Sequence, residues 1–310
     1  MTVRKSTRSE ATVREVSALN ATFLKAMPLP AIGQDDDKDA RGRILVIGGS
    51  CAVPGAMALA GVAALRTGAG KLQLATVRDA AMGLGFAVPE SLVVALPQTA
   101  DGEIDAAAFS DPAGEHLRGY VTGADAVLVG PGMMSDTGAL ALLRAIIPSL
   151  GESTTLVLDG LACVALRHDS ALLHDIADRV VLTPHAGEMA SMLDIDRKEA
   201  TGSPQRVVQR AVRELRATVA LKGSETWIAS TDGRCLLFRG GVVGLGTSGS
   251  GDTLAGIVAG LAARGASPLA AAAWGVWAHG MAGRALARRT ATVGFLAREL
   301  LGEVPRLVGR

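Results

Sequence analysis

Short runs of apolar, often β-branched residues recur along this chain, and longer Ala- and Leu-rich stretches lie between them. That alternation narrows the fold most, because strands separated by helix-length segments pair in parallel and take helices on both faces. The runs predict strands at Ile44–Ile47, Lys71–Thr76, Ser91–Ala95, Ala126–Val129, Thr155–Leu158, Val180–Leu182 and Val219–Lys222. Thr226–Ala229 and Cys235–Phe238 read as a small β-hairpin turning at Thr231-Asp232-Gly233. The expectation is an α/β fold: a central, mostly parallel sheet with helices on both faces and that hairpin as a minor element. With 310 residues, 49% of them hydrophobic and 20% charged, there is ample apolar material for a core, as one large domain or two small ones. No internal repeat or Pro/Ser-rich linker divides it, so residues 21–310 are expected to form a single domain. Residues 1–20 carry Arg4, Lys5, Arg8, Glu10, Arg14 and Glu15 without a secretory apolar run, and read as a flexible tail.

Several function classes fall away on composition. A net charge of +1 offers no bulk attraction to nucleic acid or anionic lipid, and 3% aromatic residues argue against base-stacking platforms. Cys51, Cys163 and Cys235 are too few and too scattered for a disulfide framework or a zinc site, which suits a reducing cytoplasm. Gly265 to Gly283 contains no Asp, Glu, Lys or Arg, but it is mostly alanine and includes Pro268 and His279. A buried helix is expected there rather than a membrane span. His116, His168, His174 and His279 lack ligand spacing and read as surface or packing residues.

The stretch Gly244 to Gly256 carries the clearest chemistry. Four glycines, Gly244, Gly246, Gly249 and Gly251, lead into Asp252 and then an apolar segment with helical character. Glycines let backbone N–H groups turn toward a ligand, and a helix start presents unpaired donors and partial positive charge, so an anion would sit there. Gly244, Gly246 and Gly249 fit the dinucleotide spacing GxGxxG, yet that fold needs an acid about 20 residues on. From Thr253 to Arg298 there is none. A Walker loop is absent too, since Gly70-Lys71 has Leu65 where a glycine belongs and no Ser or Thr after the lysine. Two readings stay open on these residues: an anion cradle with Asp252 as a base, or a helix capped by Gly and Asp.

In open α/β sheets ligands gather at the carboxyl ends of strands. Here those ends read Gly48-Gly49-Ser50, Gly130-Pro131-Gly132, Asp159-Gly160, Thr183-Pro184-His185-Ala186-Gly187-Glu188 and Lys222-Gly223-Ser224. With Pro54-Gly55-Ala56 and Gly249 to Gly256, six of these blocks come in the order of one family. From about Ile44 to Leu300 the chain resembles the ADP/ATP-dependent NAD(P)H-hydrate dehydratases, a branch of the ribokinase-like superfamily.

The resemblance implies a ribokinase-like fold and repair of a damaged cofactor. A nucleotide, typically ADP in bacteria, phosphorylates the hydroxyl of the hydrated nicotinamide ring of NADH or NADPH; phosphate then leaves, and AMP is released. It places Asp252 as catalytic base, with Gly249, Ser250 and Gly251 in the anion hole and Mg²⁺ on bridging phosphate oxygens. Lys222, Gly223, Ser224, Glu225, Thr226 and Gly251 match nucleotide-binding positions. Ala56, Gly132, His185 and Asp252 match positions that touch the hydrated dinucleotide. It implies further a homotetramer, with the apolar C-terminal helices as a source of interface, and a separate epimerase as functional partner. On the residues alone, Lys222 is a phosphate ligand or a lysine reaching solvent. His185 is a substrate donor or a cap, and Glu188 is better explained as a cap than as a catalyst. Met133-Met134 departs from the family's usual residues after Gly132 and is expected to narrow the pocket. Two alternatives remain: a vitamin or sugar kinase of the same superfamily, and a non-catalytic nucleotide sensor.

Overall fold

The computed structural model describes residues 16–33, 35–109 and 114–309. The elements begin β1 (Val16–Ala18), α1 (Ala21–Lys25), β2 (Arg43–Ile47), α2 (Gly55–Arg66), β3 (Lys71–Val77), α3 (Arg78–Ala87) and β4 (Ser91–Leu96). Next come α4 (Glu115–Thr122), β5 (Ala126–Val129), α5 (Asp136–Ile146), β6 (Thr155–Leu158), α6 (Leu161–Val164), β7 (Val180–Leu182) and α7 (Ala186–Leu193). The chain ends with α8 (Arg197–Gly202), α9 (Pro204–Leu215), β8 (Thr218–Leu221), β9 (Thr226–Ala229), β10 (Cys235–Phe238), α10 (Ser250–Ala263), α11 (Pro268–Arg289), α12 (Ala297–Leu300) and α13 (Val304–Val308).

All the strands join one sheet in the order β1-β10-β9-β8-β7-β6-β5-β2-β3-β4. Every neighbouring pair is parallel except the two made by β9. The apolar runs are continuous because each strand feeds two cores. Leu45, Val127, Leu156 and Val219 pack on one face with α5, α6, α7 and α9, while Ile44, Val46, Leu128 and Val157 pack on the other with α2, α10 and α11. Each such side chain, fully buried, contributes about 1.5–3 kcal/mol.

The expected strands and hairpin are present, with ends displaced by no more than a residue; the last runs Thr218–Leu221 and leaves Lys222 just beyond it. Part of the segment expected as a tail is a strand: Val16–Ala18 pairs in parallel with Cys235–Leu237. Three residues without a turn signal of their own give no strand pattern to read. Residues 1–15 lie outside the described residues. The segment Gly265–Gly283 falls largely in α11, and among the described residues no helix is long and apolar enough to cross a membrane. The C-terminal helices α10 and α11 spend their small residues on the chain's own core. Large exposed apolar side chains lie elsewhere, among them Met82 and Phe86 on α3 and Leu92 on the edge strand β4.

Candidate active site

The parallel strands β5 to β8 end side by side, so the residues after them face one cleft. Gly130 to Gly132 follows β5 and folds onto the loop after β2, with Gly49 N–H donating to Pro131 O at 2.7 Å. A Cβ at Gly132 would collide with Val53 O and press on Ala56 Cβ at 3.1 Å. Ala56 is itself buried, so these small residues first serve to close the two loops on each other. The N–H of exposed Met134 is held by the buried carboxylate of Glu103, at 3.1 and 3.3 Å to its two oxygens.

Lys222 leaves β8 with its N–H bonded to Pro184 O at 2.8 Å, which ties the ends of β7 and β8 together. Its Nζ donates to Asp159 Oδ1 at 2.7 Å and lies 4.0 Å from Glu188 Oε2. Asp159, at the end of β6 and 4% exposed, also accepts from Thr183 Oγ1 at 2.7 Å. Burial works against the lysine's charge, but the carboxylates of Asp159 and then Glu188 outweigh it and hold its pKa above the ordinary lysine range. Lys222 is thus charged and anchored rather than free in solvent.

His185 is the N-cap of α7. Its Nδ1 accepts from Gly187 N at 2.9 Å and Glu188 N at 3.2 Å, and the Glu188 carboxylate returns to His185 N at 2.8 Å, completing a capping box. Nε2 contacts Glu188 Oε1 at 3.0 Å. With both ring nitrogens occupied, His185 would have to exchange a bond with Glu188 to contact a substrate. Burial opposes ionisation of Glu188, yet the His185 bond and then Lys222 keep its pKa below the usual value.

The helix α10 begins one turn earlier than the cap reading requires. Gly249 is its N-cap at φ 83°, a left-handed conformation natural to glycine, and a Cβ there would run into Leu59. Asp252 is therefore the third helical residue, not the cap. The cradle has fewer free donors than expected: Ser250 N–H is spent on Thr247 O at 3.2 Å, whereas that of Gly251 has no partner among the described residues. A Cβ on Gly251 would stand 3.2 Å from Lys222 Nζ, so its absence keeps helix start and ammonium together. A Cβ on Gly256 would collide with Ala60 O, and this close crossing fixes α10 against α2.

Asp252 has a pKa raised from 3.8 to about 6. Burial is the main cause and the negative charge of Asp159 the next, with Lys222 offsetting part of it. A carboxyl of that strength is charged at neutral pH and basic enough to take a proton from a hydroxyl held against it.

Two cavities meet here. The larger, about 610 Å³, is lined by Lys222, Gly223, Ser224 and Thr226 together with Gly246, Thr247, Ser250 and His279. The smaller, about 270 Å³, is lined by Gly130, Gly132, Met133, Asp159, Glu188 and Asp252. His185, Lys222 and Gly251 line both. Glu225 lies outside this lining, bonded to Arg239 Nε at 2.6 Å, and Ala56 and Gly249 sit behind the walls. Sequence reasoning gave no role to Asp159, though an acid closing an apolar strand was a visible signal; His279, which it left to packing, carried none.

Residues 44–306 match the NAD(P)H-hydrate dehydratase family. The chain belongs to that family. The ADP-dependent (S)-NAD(P)H-hydrate dehydratase of Xanthomonas campestris pv. campestris is 45% identical over 301 residues, covering 95% of this chain and 97% of the relative. The ADP/ATP-dependent NAD(P)H-hydrate dehydratase of Bacillus subtilis, co-crystallised with ATP/Mg²⁺, superposes with a TM-score of 0.77 at 26% identity, over 96% of this chain and 98% of that one. A ribokinase-like superfamily protein of Enterococcus faecalis does so at 0.79 and 25%, over 97% and 98%. This dehydratase chain thus has the ribokinase-like α/β fold. It spans about half the length of the bifunctional NAD(P)H-hydrate repair enzymes that it also matches.

Proposed function

We propose that this chain catalyses the ADP-dependent dehydration of (S)-NAD(P)H-hydrate, and one observation carries the reading. Two cavities meet at Lys222 and Gly251, and Asp252 opens only into the smaller. A nucleotide in the larger cavity brings its terminal phosphate to Lys222 Nζ and the free Gly251 N–H at the positive end of α10. The hydrated nicotinamide ring enters the smaller cavity with its hydroxyl between that phosphorus and Asp252.

Asp252 takes the hydroxyl proton as the ring oxygen bonds to the β-phosphorus of ADP, and the bond to the α-phosphate breaks to release AMP. Lys222 and Gly251 stabilise the charge on the transferring group. The ring C–O bond then breaks, the adjacent carbon loses a proton, and phosphate and NAD(P)H result. Among the described residues no group of three His, Cys, Asp or Glu side chains converges on a metal position. Mg²⁺ would therefore come with the nucleotide and would neutralise phosphate charge there. Only one epimer of the hydrate presents its hydroxyl to Asp252, so an epimerase would supply the rest.

The test is to give purified protein hydrated NADH and ADP. Reduced-nicotinamide absorbance, AMP and phosphate should rise in equal amounts. Phosphorylation of a vitamin or sugar from ATP with the hydrate untouched would establish the kinase alternative.

A further inference from the structure

His279 is used by none of these steps, yet it faces the cavity that the nucleotide is proposed to fill. Its Nε2 lies 3.0 Å from Ser250 Oγ, in the first turn of α10 and two residues before Asp252. The contact is not a loose surface encounter, because α11 is pressed tightly against its neighbours on both sides of the ring. A Cβ at Gly280 would collide with the Phe238 ring, and one at Gly275 would meet Val258 of α10 at 2.6 Å. The imidazole is also neutral at working pH: burial first, and the charge of Lys222 second, push its pKa down to about 4, against a backbone hydrogen bond with Ser250 that raises it. A neutral ring offers one N–H and one lone pair.

That count leaves two arrangements of the pair. Ser250 has one hydroxyl proton. If the serine gives it to Nε2, its oxygen presents only lone pairs to the cavity and repels a phosphate. If Nε2 carries the ring proton and donates it to Ser250 Oγ, the hydroxyl proton is free to point at a phosphate oxygen. We infer that His279 is a positioning residue for phosphoryl transfer: it donates from Nε2 to Ser250 Oγ and so turns the Ser250 hydroxyl toward the nucleotide phosphate. This adds a side-chain donor to a cradle in which the Ser250 N–H is already spent on Thr247 O. The inference rests on the reading that the larger cavity takes ADP.

Four variants test it: Ser250→Ala, His279→Gln, His279→Asn and the double variant Ser250→Ala with His279→Asn. Gln places an amide donor near the position of Nε2; Asn places one only near Nδ1. The readouts are ADP affinity by calorimetry, kcat and KM for ADP, and melting temperature. Ser250→Ala and His279→Asn should each weaken ADP binding about tenfold or more, as for a lost bond to a charged group. The double variant should be no worse than Ser250→Ala, and His279→Gln should stay within about threefold of wild type. Additive losses in the double variant, or equal losses in Gln and Asn at unchanged melting temperature, would overturn the role. Calorimetry needs no turnover, so ADP binding without dehydration would count against the dehydratase reading and not against His279.

Discussion

Replacing Asp252 by Asn removes the proposed base while keeping its shape, and should make the protein inactive and more stable. Raising a carboxyl from 3.8 to about 6 disfavours its ionised form in the folded state by about 3 kcal/mol. Asp252 keeps some solvent access, so about 2 kcal/mol is expected, a rise of several degrees in melting temperature at pH 7. The folded pKa lies above the unfolded one, so the penalty is full above about pH 6. It fades as pH falls toward 3.8 and is gone below that. Thermal denaturation of wild type and Asp252→Asn at pH 7 and at pH 4 should therefore show a gap that nearly closes at the lower pH. Turnover should fall by a factor on the order of 100 to 10,000, and the wild-type rate should decline as pH drops through about 6. A gap of the same size at both pH values, or a variant less stable at pH 7, would refute the strained carboxylate. Retained turnover would refute the base.

Lys222→Met should abolish nucleotide binding and cost about 3 kcal/mol, because Asp159 would be left buried without its cation; denaturant unfolding and ADP calorimetry check both. Gly251→Ala places a methyl 3.2 Å from Lys222 Nζ and should raise KM for ADP several-fold with little change in melting temperature, which steady-state kinetics would show. His185→Asn is a good N-cap in place of the histidine and should restore the roughly 1 kcal/mol that His185→Ala loses from α7. If His185 also touches the hydrate, KM for the hydrate stays raised in the Asn variant; if it only caps, KM recovers.

The sheet was legible because strands buried on two faces carry continuous apolar runs, and the strand ends located the cleft. The ion pair between Lys222 and Asp159 was not, since 63 positions separate the partners and only the parallel order β6-β7-β8 brings them together. His279 was hidden for a related reason: its partner Ser250 lies on another helix, and a histidine in an alanine-rich run has no pattern that separates packing from function. Asp252 was legible as a carboxylate at a helix start, but of the Gly and Asp expected to share the cap only Gly249 caps α10, and Asp252 stands inside its first turn.

In the proposed reaction the ring hydroxyl is phosphorylated before it leaves. Hydrated NADH carrying a heavy oxygen isotope at that hydroxyl tests it directly, with wild-type protein, ADP and mass analysis of the phosphate formed. Transfer from ADP to the hydroxyl predicts one labelled oxygen in every phosphate released with NADH. Label appearing in water, with unlabelled phosphate, would contradict it.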